Sequence, residues 1–166
     1  MLRSLTVALR VPRSNILTTQ KRTILTLKDH KYTAHAIASG AGRNGRVVSN
    51  EEGATAIDFT LASPKALGGS GKGHNPEQLF ASGYASCFLG ALQLVAAQRK
   101  QESAVENAKI HTYVHIGEPN ETPGFGLAVD IKVEGVEDED LIHAAHQFCP
   151  YSRALNQGIA VTVGKQ

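Results

Sequence analysis

The segment from Asn75 to Lys100 constrains the fold more than any other part of the chain. Asn75 is placed to cap a helix, Pro76 suits the first helical position, and Gln78 suits the reciprocal capping position. The middle of the predicted helix is apolar on every side, and such a helix must be buried on every side. A domain of about 140 residues can hardly surround a helix about 37 Å long. The simplest solution is a homodimer in which this helix lies at the shared centre.

The rest of the chain shows strand patterns and one further helix. The Asn44-Gly45 pair predicts a two-residue hairpin, because both residue types tolerate positive φ. The predicted strands cover residues 30–39, 46–49, 56–61, 108–117, 126–134 and 158–163. A second amphipathic helix is predicted over residues 137–148, with an inner side formed by Leu141, Ile142, Ala145 and Phe148. This order of strands, long helix, strands, helix and strand predicts an α+β fold.

The first 22 residues differ in composition from the rest of the chain. They contain five basic residues and no acid, and three leucines recur at helical spacing. Such a segment is typical of a mitochondrial transit peptide, and the alternative is a disordered basic tail. We therefore expect a transit peptide at residues 1–22, import into the mitochondrial matrix, and one folded domain over residues 23–166. If the segment is not a targeting signal, the expected location is cytoplasmic.

The charge of that domain argues against nucleic-acid binding. The chain has 17 Lys and Arg against 15 Asp and Glu, so removing the five basic residues of the first segment leaves a net charge of −3. A domain with this negative net charge has no electrostatic reason to bind nucleic acid. We also expect no membrane span, because Gln93 interrupts the apolar run from Leu89 to Ala97 and polar residues end it.

The chain has two cysteines, Cys87 and Cys149. Two cysteines do not make a disulfide framework, so they indicate redox or metal chemistry or simply two buried thiols. Cys87 lies about three turns into the predicted helix, too deep for the field of the helix N-terminus to act on it. Apolar neighbours alone would raise the pKa of its thiol and leave it inert. Cys87 can therefore react only if a cationic group reaches it.

Three separated runs of sequence form a recognisable pattern. Residues 42–46 are GRNGR, residues 75–92 are NPEQLFASGYASCFLGAL, and residues 146–152 are HQFCPYS. In that order they resemble the first hairpin, the signature helix and the second cysteine motif of the organic hydroperoxide resistance proteins, a branch of the Ohr/OsmC family. The resemblance covers about residues 30–164. It implies an OsmC-like fold, with antiparallel sheets around a long buried central helix in an intertwined homodimer.

The resemblance also implies a role for four residues. Cys87 matches the peroxidatic cysteine and Cys149 the resolving cysteine. Arg43 matches the arginine that stabilises the thiolate, and Glu77 matches the carboxylate that holds this arginine. A guanidinium next to sulfur lowers the pKa of a thiol, and its planar fork allows a carboxylate to fix its orientation with two hydrogen bonds.

The spacing of Glu77 and Cys87 raises a geometric problem. Ten residues on one helix correspond to about 15 Å along the axis and about 280° around it. Glu77 can therefore hardly serve the cysteine of its own chain. We expect the two central helices of a homodimer to be antiparallel, so that Glu77 and Arg43 serve Cys87 of the partner subunit.

The activity implied by the resemblance is the reduction of organic hydroperoxides to alcohols without a cofactor. Cys87 would form a sulfenic acid and then a disulfide with Cys149. A dithiol such as dihydrolipoamide would reopen the bridge, and the implied partners are lipoylated proteins, which mitochondria contain. Three apolar side chains of the helix are expected to form substrate-binding walls that favour alkyl and fatty-acid hydroperoxides: Phe80, Tyr84 and Phe88.

Two other interpretations remain open from the sequence. His143, His146 and Cys149 recur every third residue on a predicted helix and could bind zinc, with His35 or His74 as a fourth ligand. Alternatively, the same pair of cysteines could serve a redox sensor that reacts once per switch rather than turning over.

Overall fold

The computed structural model describes residues 24–165, so the predicted transit peptide lies outside the described residues. The predicted central helix is present as α1, Pro76–Gln98. The Gln78 backbone N–H donates to the Asn75 side chain over 2.9 Å, and the Asn75 backbone N–H donates to the Gln78 side chain over 3.1 Å. Both halves of the predicted capping box therefore fix where this helix begins.

Two antiparallel sheets accompany α1. The strands β1 (Ile37–Ser39), β2 (Arg46–Ser49) and β3 (Ile57–Thr60) form one sheet in that order. The strands β4 (Lys109–Gly117) and β5 (Gly126–Glu134) form a separate two-stranded ribbon. The helices α2 (Glu139–Phe148) and α3 (Pro150–Gln157) complete the α+β fold.

One face of α1 forms the core of the chain together with β4, β5 and α2. Its buried residues recur at helical spacing, and they are Tyr84, Phe88, Ala91, Leu92, Val95 and Ala96. Leu141 and Ala145 of α2 are fully buried against them. This stripe accounts for the position of α1, because burial of an apolar face is the main source of helix stability in a folded protein.

The opposite face of α1 is open within a single chain. Leu94 is 46% exposed, and Gln93 and Ser86 are exposed as well. The sheet β1–β3 contributes none of the described core residues. An open groove of about 740 Å³ lies between this sheet and the open face of α1, lined in part by Phe59 and Leu79. The expectation that α1 is buried on every side is therefore not met by one chain alone.

The predicted hairpin is present as the antiparallel pair of β1 and β2, but the two-residue turn predicted at Asn44-Gly45 is wrong. Residues Gly42–Asn44 form a single turn of 3₁₀ helix, and positive φ occurs at Gly40 and Gly42 rather than at Asn44 or Gly45. Gly45 is needed for another reason: a Cβ there would lie 2.1 Å from the carbonyl oxygen of Ser39. The connection from β1 to β2 is thus longer than a two-residue turn, and it carries Arg43.

Other predicted boundaries also differ from the structure. The first strand spans only Ile37–Ser39, and residues 158–163 form only an isolated bridge at Ile159. Ile159 pairs with Leu25 in this bridge, and the side chain of Val163 further along the segment is exposed. Phe148 is 42% exposed rather than on the inner side of α2. In addition, α1 is long and apolar enough to span a membrane by length and composition, although a core helix has the same properties.

The core position of α1 predicts a strong dependence of stability on Leu92, which is fully buried. We expect Leu92→Ala to lower the free energy of unfolding by about 2–5 kcal/mol, because the loss of buried methyl groups leaves a cavity. Leu27→Ala, at a side chain that is 77% exposed, is the matched control and should change it by less than about 0.5 kcal/mol. Urea denaturation at one fixed protein concentration measures both, and equal effects would contradict this description of the core.

Candidate active site

The two cysteines lie next to each other although 62 residues separate them in sequence. Cys87 projects from α1, and the thiol of Cys149 donates to its sulfur over a Sγ–Sγ distance of 3.6 Å. A disulfide bond is about 2.05 Å long, so a movement of about 1.5 Å would join the two sulfurs. Cys149 is fully buried, whereas Cys87 is only half-buried. A reagent from solvent therefore has access to Cys87 and not to Cys149.

Cys149 occupies a corner between two helices. Its backbone N–H donates to the Ala145 carbonyl at the end of α2, and its carbonyl accepts from the Arg153 N–H at the start of α3. Its own backbone is extended, with φ −58° and ψ 124°, which interrupts the helical path. Pro150 then takes the first position of α3. The corner directs the Cys149 side chain toward α1.

Tyr151 is a site residue that the sequence analysis missed. Its backbone N–H acts to lower the pKa of the Cys87 thiol, and its ring stacks on Phe80 at 6.0 Å and lies 5.6 Å from the ring of Tyr84. The available signal was its place directly after Cys149-Pro150, because the first N–H groups of a helix lack partners within the helix. Tyr151 thus joins the first turn of α3 to the reactive region of α1.

A buried hydrogen bond links the same two helices nearby. The Tyr84 hydroxyl and the Ser152 hydroxyl are 2.8 Å apart. Ser152 is fully buried, and Tyr84 is almost fully buried. A hydroxyl that is buried without a partner is costly, so each of these groups satisfies the other.

The three predicted substrate-binding residues have different environments. Tyr84 and Phe88 are both buried core residues, while Phe80 is partly buried against the core. Tyr84 and Phe88 also line a cavity of about 230 Å³ between α1, β5 and α2. The other residues around this cavity are Val129, Ile131, Val133, Ile142 and His146. Their role in substrate binding stays a prediction.

Arg43 and Glu77 form an ion pair. Arg43 comes from the 3₁₀ turn before β2, and Glu77 lies in the first turn of α1. The Glu77 side chain is only 14% exposed. The Arg43 guanidinium lowers the pKa of the Glu77 carboxyl despite the opposing effect of burial, so this carboxylate keeps its charge.

The surroundings of Cys87 within one chain do not favour a thiolate. Burial raises the pKa of the Cys87 thiol, the Tyr151 N–H opposes this, and the adjacent Cys149 raises it further. No cationic side chain of residues 24–165 lowers the pKa of the Cys87 thiol within the chain. The structure therefore brings together Cys87 with Cys149 and Arg43 with Glu77, as two separate pairs.

The residues of the zinc hypothesis do not converge. The His143 ring is hydrogen-bonded to Gln147, and the His146 ring is hydrogen-bonded to Asn156. Across the described part of the chain, no group of three or more His, Cys, Asp or Glu side chains is arranged to hold a metal ion. The regular spacing in sequence therefore does not produce a ligand cluster in the fold.

Comparison with known proteins defines the class of this chain. The OsmC-like protein family matches residues 69–164. A crystal structure of an organic hydroperoxide resistance protein from Elizabethkingia anophelis matches with a TM-score of 0.67 and 40% identity, over 80% of this chain and 94% of that one. One from Bacillus subtilis matches with a TM-score of 0.63 and 37% identity, over 77% and 93%. The fold and the matched residues are those of an OsmC-like protein.

The relatives found by sequence similarity indicate one branch of the OsmC-like family. An organic hydroperoxide resistance protein of Xanthomonas axonopodis pv. citri is 46% identical over 139 residues, which is 80% of this chain and 92% of the relative. An organic hydroperoxide resistance protein-like 1 of Staphylococcus saprophyticus is 39% identical over 134 residues, 78% and 92% of the two chains. The chain belongs to the organic hydroperoxide resistance branch of the OsmC-like family, as the three sequence runs predict.

The expected mitochondrial location is wrong. The relatives are proteins of bacteria such as Xanthomonas and Staphylococcus, which have no mitochondria. The transit peptide was predicted from the basic, acid-free composition of residues 1–22 and from three leucines at helical spacing. That composition does not distinguish a targeting signal from any other basic segment.

The burial of the two cysteines predicts a difference in reactivity. In a Cys149→Ser variant, Cys87 should react with iodoacetamide at least tenfold faster than Cys149 does in a Cys87→Ser variant, because only Cys87 is open to solvent. Mass spectrometry of timed samples measures both rates. The same variants unfolded in urea serve as the control and should react at similar rates. Faster labelling of Cys149 in the folded protein would contradict the geometry.

Proposed function

We propose that this protein is a thiol peroxidase that reduces organic hydroperoxides to alcohols with Cys87 as the attacking group. Its relatives support a peroxidase-type role in organic hydroperoxide resistance. The observation that carries the proposal is the cysteine pair, in which a half-buried Cys87 lies 3.6 Å from a fully buried Cys149. This arrangement suits a peroxidatic cysteine that meets substrate first and a resolving cysteine that reacts only afterwards.

The chemistry proceeds in two steps. The Cys87 thiolate attacks the distal oxygen of the hydroperoxide, the O–O bond breaks, and an alcohol leaves after taking up a proton. Cys87 keeps one oxygen as a sulfenic acid. The sulfur of Cys149 then attacks the sulfur of Cys87, the S–O bond breaks, and water leaves as the disulfide forms.

The first step needs a cation that a single chain does not place at Cys87. We infer that Arg43 of the partner subunit supplies it, held by Glu77 of the partner subunit, in a homodimer with antiparallel α1 helices. The open face of α1 supports this assembly, since it leaves apolar residues such as Leu94 without cover. The intact ion pair at the far end of α1 supports it as well, because a distance of about 15 Å separates Glu77 from Cys87 of its own chain.

The disulfide must be reopened before the next cycle. A dithiol reductant such as dihydrolipoamide can do this by thiol–disulfide exchange, and lipoylated proteins are the partners that carry this group. Aromatic and aliphatic side chains surround the cysteine pair, among them Phe80 and Tyr84. Such walls favour alkyl or fatty-acid hydroperoxides over hydrogen peroxide.

A turnover assay tests the proposed activity. We expect the protein to consume many equivalents of cumene hydroperoxide per chain when dihydrolipoamide is supplied. Cys87→Ser should abolish consumption, because it removes the nucleophile. Cys149→Ser should start to react but lose activity within a few cycles, because the sulfenic acid is no longer protected as a disulfide. Consumption of a single equivalent would indicate a sensor, and full activity in Cys87→Ser would refute the proposal.

A mixed dimer tests the shared site. We expect Cys87→Ser and Glu77→Ala chains, each inactive alone, to regain about half of the wild-type activity as heterodimers. In the heterodimer, the intact Arg43–Glu77 pair of one chain faces the intact Cys87 of the other. Two different affinity tags allow the heterodimer to be isolated and its composition verified. If verified heterodimers remain inactive, each site must be completed within its own chain.

A further inference from the structure

We propose that the hydrogen bond between Tyr84 and Ser152 is a positioning device for disulfide formation. It holds the first turn of α3 against α1, so that Cys149 reaches the sulfenic acid of Cys87 before a second hydroperoxide does. The two hydroxyls are hydrogen-bonded to each other, and both residues act through the placement of Cys149. This inference rests on the proposed function and adds a determinant of its second step.

Ser152 is an unusual residue in this fold. Among the described residues, it is the only polar side chain that is fully buried. Its hydroxyl is 2.8 Å from that of Tyr84, which comes from the middle of α1. A buried hydroxyl pair of this kind fixes the relative position of two helices, because separation would leave both groups without a partner in an apolar environment.

The backbone transmits this restraint to Cys149. Ser152 lies three residues after Cys149, in the first turn of α3. The Cys149 carbonyl accepts from the Arg153 N–H over 3.0 Å, so the backbone of Cys149 follows any movement of this turn. On the other side, the Cys149 backbone N–H donates a hydrogen bond to the Ala145 carbonyl at the end of α2 over 2.8 Å. The corner is therefore held by α2 at one end and by the hydroxyl pair at the other.

The second step depends on this placement. The two sulfurs start 3.6 Å apart and must approach by about 1.5 Å to bond. In the competing reaction, a second hydroperoxide oxidises the sulfenic acid to sulfinic acid and leaves as an alcohol. A misplacement of about 1 Å in a reacting group can cost about 100-fold in rate. Loss of the restraint should therefore slow disulfide formation and increase the share of sulfinic acid.

The first step should be less affected. The hydroperoxide meets Cys87, which is half-buried, whereas the Tyr84 and Ser152 hydroxyls are enclosed between the helices. The Tyr151 N–H that contacts Cys87 is a backbone group and is retained in every variant of these two residues. Ser152→Ala removes one hydroxyl of the pair and leaves the Tyr84 side chain of the proposed substrate walls unchanged, so this variant separates the two steps.

The experiment uses the full chain carrying Tyr84→Phe, Ser152→Ala or both. Phe keeps the ring in place among its aromatic neighbours, and Ala suits a helix, so both changes are compatible with folding. Tyr113→Phe on β4 is the matched control, because it removes a tyrosine hydroxyl from a side chain that is 46% exposed. Stopped-flow mixing with cumene hydroperoxide, sulfenic-acid trapping with dimedone and mass spectrometry follow sulfenic acid, disulfide and sulfinic acid separately.

We expect disulfide formation to slow at least tenfold in each single variant, with sulfenic-acid formation changed by less than threefold in Ser152→Ala. The share of sulfinic acid should rise with hydroperoxide concentration, and the double variant should match the single ones because the two hydroxyls act as one pair. Wild-type disulfide formation in Ser152→Ala, or an equal loss in both steps of that variant, would overturn this inference alone. Absence of a Cys87 sulfenic acid in the wild type would instead overturn the proposed function.

Discussion

The desolvation of Cys87 is the constraint on which the candidate site depends. The residue is placed on a helix whose buried stripe forms the core of the chain, and burial raises the pKa of its thiol. In the proposed function the Cys87 thiol must be ionised to react, so the surroundings would have to offset this effect. One hydrogen bond from the Tyr151 N–H opposes the effect of burial within the chain. A cation from outside the chain would lower the pKa of the Cys87 thiol further. A thiolate formed in such apolar surroundings would be a strong nucleophile.

The second constraint is the difference in solvent access between the two sulfurs, which determines the order in which they can react. A solvent-borne hydroperoxide can reach the half-buried Cys87 but not the fully buried Cys149. The corner between α2 and α3 keeps the second sulfur close yet shielded. Any reductant that reopens the disulfide meets the same difference in access. In the proposed cycle it would attack the sulfur of Cys87 and release Cys149 as the leaving thiolate.

The sequence predicts elements well where a local signal determines them. The capping residues Asn75 and Gln78 set the start of α1, and strict alternation sets β4 and β5. Prediction from the sequence fails where tertiary contacts determine the local structure. The Asn44-Gly45 pair is typical of a tight hairpin, yet Gly45 is required for close approach to Ser39. The contact of Tyr151 with Cys87 depends on how α3 packs on α1, which no local pattern encodes. The resemblance supplied Arg43 and Glu77, whose pairing across 34 residues has no signature in spacing.

The position of the ion pair links the fold to the assembly. The sheet β1–β3 stands apart from the described core, and it is joined to the start of α1 by the Arg43–Glu77 pair and by the bridge between Leu61 and His74. A sheet that contributes so little to the core of its own chain gains stability by covering another apolar surface. The open face of α1 in a second copy is such a surface. The same packing would carry Arg43 to the helix that bears Cys87 of the partner subunit, so one contact would both bury the exposed face of α1 and supply the missing charge.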